Sequence, residues 1–173
     1  FGATTTRQNG TGVNLQLTAT DKILDHENQF VFGGGYNFGS TNFRMGEQEA
    51  DIADTRMMYA ITPVETTVQI HGQTAYSSLF TTDTFSIYDW LHVNAALNWQ
   101  QAQVDTSDQI GTALNGNNLF SRVNPSAGFT FNPLDALKID SPLEEFTSYF
   151  NYNEGMRAPT AVELSCADPE APC

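Results

Sequence analysis

Lysine is almost missing from this chain: Lys22 and Lys138 are the only two in 173 residues. Lys and Arg together number 7 against 20 Asp and Glu, a formal net charge of −13. Such a balance argues against a surface that tracks phosphates, so nucleic acid is not an expected partner. No run of about 18 apolar residues occurs, which leaves no transmembrane helix. The opening FGATTTRQNG has neither a basic start nor an apolar centre, so it does not read as a secretory signal. It starts on Phe1 rather than Met, as a processed product or a piece of something larger would. Helical stripes with caps are hard to find. No G-x-S-x-G or comparable nucleophile motif accompanies the Ser, His and Asp present, so neither an enzyme nor a cofactor is expected.

What the chain does have is alternation with a period of two. Val13, Leu15, Leu17 and Ala19 alternate with Asn14, Gln16, Thr18 and Thr20. Phe30, Phe32, Tyr36 and Phe38 stand opposite Gln29, Gly33, Gly35 and Asn37. Leu91, Val93, Ala95, Leu97 and Trp99 stand against His92, Asn94, Asn98 and Gln100. Similar alternation runs from Val68 and Ile70 on to Phe85, through Ala127, Phe129 and Phe131, and through Phe146, Ser148, Phe150 and Tyr152. The fold class is all-β. The spacing predicts about six antiparallel strands near 12–20, 28–45, 66–87, 90–104, 120–132 and 145–154, in one open up-and-down meander.

Two all-β architectures fit such alternation. A soluble, secreted β-sandwich with a binding role would turn its second faces to water and furnish them with Lys and Glu. A membrane barrel would turn its apolar faces to lipid and line its interior with Asn, Gln, Ser, Thr and Gly. The second faces here are neutral and polar, and both lysines fall outside the strand cores. The 12 Phe, 6 Tyr and 2 Trp suit aromatic girdles, with Tyr88 and Trp90 at a strand end. The links point the same way. Short ones at 21–28 and 86–90 alternate with long polar ones at 46–65 and 105–119, as strands running up and down through a bilayer require, while the link at 132–145 is intermediate and longer than a tidy turn. On this reading Leu15, Leu17, Phe30, Phe32, Val93, Leu97, Phe129 and Phe131 meet lipid.

The stretch NYNEGMRAPTAVEL then becomes specific. Tyr152, Gly155, Arg157, Ala158, Pro159, Thr160, Glu163 and Leu164 match a recurrent Y-x-x-G-aromatic-R-A-P-T-x-x-E-L strand motif, with Met156 where the aromatic usually stands. FSRVNPSAGFTFNP at 120–133 is similar to the strand before it, and the hairpin at 77–99 and the strand at 7–18 also fit. The chain resembles the β-barrel of TonB-dependent outer-membrane receptors over most of its length. That resemblance implies that residues 1–173 are a partial barrel domain, without the plug domain and without the C-terminal strand. It implies energy-dependent uptake of a scarce nutrient, such as a ferric siderophore, cobalamin or a saccharide. Its partners would be outer-membrane lipid and the TonB energy-coupling complex, reached through a region outside this segment, in the bacterial outer membrane.

Individual residues carry modest expectations. Arg157 is expected to act as a lumen- or loop-facing anchor, bonding backbone carbonyls or Glu154 and Glu163; the alternative is a rim charge reaching for water. Tyr152 to Thr160 should form the top of an ascending strand and its exit. Cys166 and Cys173 flank an acidic, Pro-containing loop, and in an oxidising exterior they are expected to pair, the alternatives being free thiols or a metal site. His71 and His92 are expected to line the interior, without metal-ligand spacing. Gly33–Gly35 opens no helix and reads as a place of bending or close backbone approach. Asp105 and Asp108 read as a solvated loop rather than a cation site. No metal and no ligand-binding residue are assigned.

Overall fold

The computed structural model describes residues 2–52, 58–137 and 146–165. Six long strands form one open antiparallel meander: β1 (Gly2–Ile23), β2 (His26–Glu47), β5 (Glu65–Tyr88), β6 (Leu91–Asp108), β7 (Gly116–Phe131) and β8 (Ser148–Asn153). A small hairpin of β3 (Ala50–Ile52) and β4 (Met58–Ala60) lies in the link between β2 and β5. Two short helices, α1 (Pro133–Leu137) and α2 (Ala161–Ser165), complete the described elements.

The tight turns have local causes. Ile23 pairs with His26, so the first hairpin turns on Leu24 and Asp25 alone. Their φ values, 53° and 67°, are both positive, as a I′ turn matching the right-handed twist of the strands requires. The β5–β6 hairpin turns on Asp89 and Trp90, after a register shift between Ser86 and Tyr88. Around it Tyr88 stacks on Trp90 at 4.7 Å, and Trp90 meets Phe131 edge-on at 5.7 Å. The other ends of the strands carry the links 48–64 and 109–115, while the link from β7 to β8, 132–147, lies at the tight-turn end.

Several boundaries differ from those predicted. β1 begins at Gly2 instead of near residue 12, because its Thr- and Gly-rich start still pairs with Phe38 through Glu47. Backbone pairing, and no apolar alternation, holds that half. β6 and β7 likewise run on to Asp108 and back from Gly116, leaving a shorter link than 105–119. The last strand ends at Asn153, and the residues after it leave the sheet. The helices were not foreseen.

Register assigns the two faces. Leu15, Gly34, Leu79, Trp99 and Val123 form one cross-strand row, and Leu17, Phe32, Thr81, Leu97 and Pro125 the next. These rows define a first face, which also holds Phe30, Phe85, Val93, Phe129, Phe131 and Phe150. It is mostly apolar and unburied: Leu15 is 75% exposed and Leu97 52%, and Asp83, which accepts from the Asn28 amide at 2.7 Å, is a charged exception beside Phe30. A sandwich with Leu15, Phe32 and Val93 in a shared core is therefore overturned, since all three lie on one open face.

The second face has a core of its own, at the long-link end. Phe43, Ile70, Ala102 and Val104 are buried there, together with Ala158 and Ala161 from the returning chain. The alternation traced from Val68 and Ile70 to Phe85 breaks here. No register shift separates Ile70 from Phe85, and one number is even and the other odd, so they project from opposite faces.

Candidate functional site

The motif segment folds onto the second face. After Asn153 the chain keeps one sheet-like bond, from the Glu154 N–H to the Pro125 carbonyl at 3.0 Å, and then departs. Residues 155–160 cross the face, and α2 packs on β5 and β6. Gly72 makes this approach feasible, because a Cβ there would come within 2.4 Å of the Ala161 Cβ. Gly33–Gly35 serve close approach too: a Cβ on Gly33 would meet the Phe80 ring at 2.5 Å.

Thr160 and Glu163 close the segment reciprocally. The Thr160 N–H donates to Glu163 Oε2 at 2.8 Å, and the Glu163 N–H donates to Thr160 Oγ1 at 3.2 Å. This is a capping box, and T-x-x-E in the sequence was the unread signal for it. Arg157 adds an ion pair to Glu163 at 2.5 Å. The Thr160 N–H first, then the Arg157 guanidinium, hold the Glu163 carboxyl down to about 2. Arg157 thus bonds Glu163 but not Glu154. Glu154 instead accepts from Arg122 at 2.6 Å and from the Tyr152 hydroxyl at 2.8 Å. No local signal points to the Arg122 pair, which spans two strands.

The other motif residues separate. Tyr152 belongs to the first face, beside Ala127. Gly155 has open space around its Cα, Ala158 is buried, Pro159 and Leu164 are half-buried, and the Leu164 N–H bonds the Thr160 carbonyl at 3.0 Å. Cys166 and Cys173 lie outside the described residues.

The second face is nearly free of formal charge. Between the rims its side chains in β1, β2, β5 and β6 are Thr, Gln, Asn, Ser, Gly and apolar or aromatic residues with His92; Lys22, Glu27, Glu47 and Asp108 stand at the strand ends, and in β7 Arg122 is the exception. A groove of about 540 Å³ runs between this wall and α2, bordered by Thr6, Gln8, Asn37, Thr41, Tyr76 and Thr160.

His92 lies on this second face, 2.8 Å from Ser86 Oγ through its Nδ1. His71 does not. It falls in register with Asn42 and Ser107 on the first face, its Nδ1 2.9 Å from Asn42 Oδ1, because odd positions of β5 project that way. The Asp108 carboxylate accepts the Ile110 and Gly111 N–H groups at 2.9 and 3.0 Å. The bonds from Gly111 and then Ile110 hold its pKa low. Asp105 accepts amide protons from Gln103 and Asn117. Among the described residues no group of three or more His, Cys, Asp or Glu is arranged to hold a metal.

An antiparallel meander with one apolar exposed face and one neutral polar face is a stretch of β-barrel wall. The family described as "TonB dependent receptor-like, beta-barrel" matches residues 1–170, and the chain belongs to that family. No curated protein matches it.

Proposed function

We propose that this sheet is barrel wall in an outer-membrane transporter that takes up a scarce nutrient with energy supplied through TonB. A ferric siderophore, cobalamin or a saccharide is the class of cargo, and a plug domain and the closing strands would lie outside this segment. The family is one of outer-membrane transporters, and the division between the two faces is the observation that carries the reading here. On the first face of β6 the apolar stretch runs from Leu91 to Trp99. A bilayer-crossing strand needs about 9–11 residues when tilted about 45°, and Leu91–Trp99 meets that. β5, at 24 residues, is more than twice as long, so its far half stands clear of the membrane. The end with the Leu24–Asp25 and Asp89–Trp90 turns is then periplasmic and the long-link end extracellular. The Tyr88–Trp90–Phe131 ring cluster sits at the periplasmic interface, where aromatic girdles lie.

The test is orientation in the intact protein. A fluorophore on Leu97→Cys should be quenched by spin-labelled lipid and be insensitive to aqueous iodide. One on Asn98→Cys should behave in reverse. The same quenching at both positions would overturn the facing, and uptake insensitive to collapse of the proton gradient would overturn the energy coupling.

A further inference from the structure

Among the described cations, Arg122 and Arg157 are in ion pairs, and Lys22 stands at the tight-turn end of the second face. Arg7 and Arg44 stand apart. Both are exposed and project from the first face toward the long-link end, and neither pairs with an acid among the described residues. Arg7, Asn42 and His71 form one cross-strand row, and Thr5, Arg44 and Gln69 the next. The two arginines are therefore diagonal neighbours on adjacent strands, about 7–8 Å apart and within reach of a shared guest. The Thr66 hydroxyl accepts from Arg44 Nε at 2.9 Å and also from its Nη2. A guanidinium has five donors, so these bonds do not exhaust it. Asp105, the acid of this face in the outer half, already accepts from Gln103 and Asn117. Glu47 at the rim and its partner Glu65 belong to the other face.

In a chain of net charge −13, two guanidinium groups without acids on an outer wall make a local anion site. Their height identifies what carries the anion. The last apolar residues of the first face below them are Val13 in β1 and Phe38 in β2, each six positions away (7 against 13, 44 against 38). Six residues span about 20 Å of strand, and about 14 Å of height at a tilt of about 45°. The headgroup layer of an ordinary bilayer is only about 5–7 Å deep. A phospholipid phosphate, next to the hydrocarbon, therefore stays below the pair, whereas a phosphate carried outward on a saccharide reaches it. Thr11, Asn9 and Ser40, on the same face in between, offer hydroxyl and amide groups suited to sugar hydroxyls. We propose that the first face at Arg7 and Arg44 binds the phosphate of a phosphorylated glycolipid in the outer leaflet, through charge-assisted hydrogen bonds. This rests on the reading that the first face meets lipid and the long-link end is extracellular.

Native mass spectrometry of the full-length protein in detergent tests this, with a glycolipid phosphorylated on its core oligosaccharide as probe. The same glycolipid after phosphatase treatment is its counterpart. The phosphorylated form should be retained about tenfold better. Arg7→Gln and Arg44→Gln should each weaken its retention about threefold, and together about tenfold. Lys22→Gln, on the other face and at the other end, should leave it unchanged. Equal retention of the two glycolipids, or full retention in the double variant, would overturn the site. Equal retention of phosphatidylglycerol, whose phosphate lies at the hydrocarbon edge, would overturn the height argument and the site with it. Displacement by an equal concentration of inorganic phosphate would overturn the lipid as carrier. The dephosphorylated probe decides the matter even if a variant does not fold. Lipid quenching at Leu97→Cys on the same protein in vesicles separates the two failures. Its absence would remove the lipid-facing reading itself, whereas quenching without glycolipid retention would remove only this site.

Discussion

The two halves of β5 have the same backbone and opposite polarity. Toward the tight turn, Leu79 and Phe85 project from the first face, and Leu79 is 49% exposed. Toward the long links, the first face carries His71 and Gln73, and the apolar side chain is Ile70, on the second face and 1% exposed. The same exchange occurs in β6, from Leu97 and Trp99 on one face to Ala102 and Val104 on the other. Hydrophobicity thus follows the medium at each height and not the strand. Where lipid is the outer solvent, the apolar residues go out. Where water bathes the outside and a folded-back segment covers the inside, they go in.

The largest effect expected in breaking this comparison is at Ile70. Ile70→Ala opens a cavity beneath α2 and should destabilise the outer half by about 2–5 kcal/mol. Leu79→Ala, nine residues along the same strand, leaves no cavity in protein and should cost much less. Denaturant unfolding in micelles reads both, and comparable losses would deny the exchange of polarity. The next effect is a charge in the membrane half. Leu97→Arg near mid-membrane should cost roughly 2–4 kcal/mol, and Asn98→Arg, on the opposite face, far less. Equal losses in folding into vesicles would remove the assignment of the first face to lipid.

How much of this was legible beforehand follows the same division. In the membrane half the strands alternate except β5, where Asp83 stands on the first face and Phe80 on the second, so the faces and neighbours could be read from Leu15, Phe32, Leu97 and Phe129. In the outer half the signal inverts or fades. Gly2 to Gly12 offers Thr, Gln and Gly with no apolar period, and its pairing with β2 is set by register carried up from the Leu24–Asp25 turn. Ile70 looked like part of one continuous face because a change of medium leaves no mark in the chain. His71 was misplaced for the same reason. The motif residues were visible, but their shape was hidden in T-x-x-E, a cap that makes sense only once α2 has Gly72 to rest against.

The smallest expected effect is a titration, and it sharpens the account of the outer half. The Glu163 carboxyl is held down to about 2 from an ordinary 4.5 by the Thr160 N–H and then by Arg157. A depressed folded pKa means that the charged form stabilises the fold. The contribution is fully present above pH 4.5 and is lost as pH falls from there toward about 2. Arg157 is itself held above its usual value by Glu163, so it remains charged throughout. Amide exchange at Thr160 and Glu163 should accelerate across that acidic window while exchange at Val104, deeper in the sheet, stays slow. Because Glu163 is largely exposed, solvent screens the pair and the change should be local. In Glu163→Gln the cap retains an acceptor but loses its charge, so exchange should be modestly faster at neutral pH and flat through the window. A variant that kept the wild-type acid response would assign it to some other carboxylate and detach Arg157 from the ordering of α2.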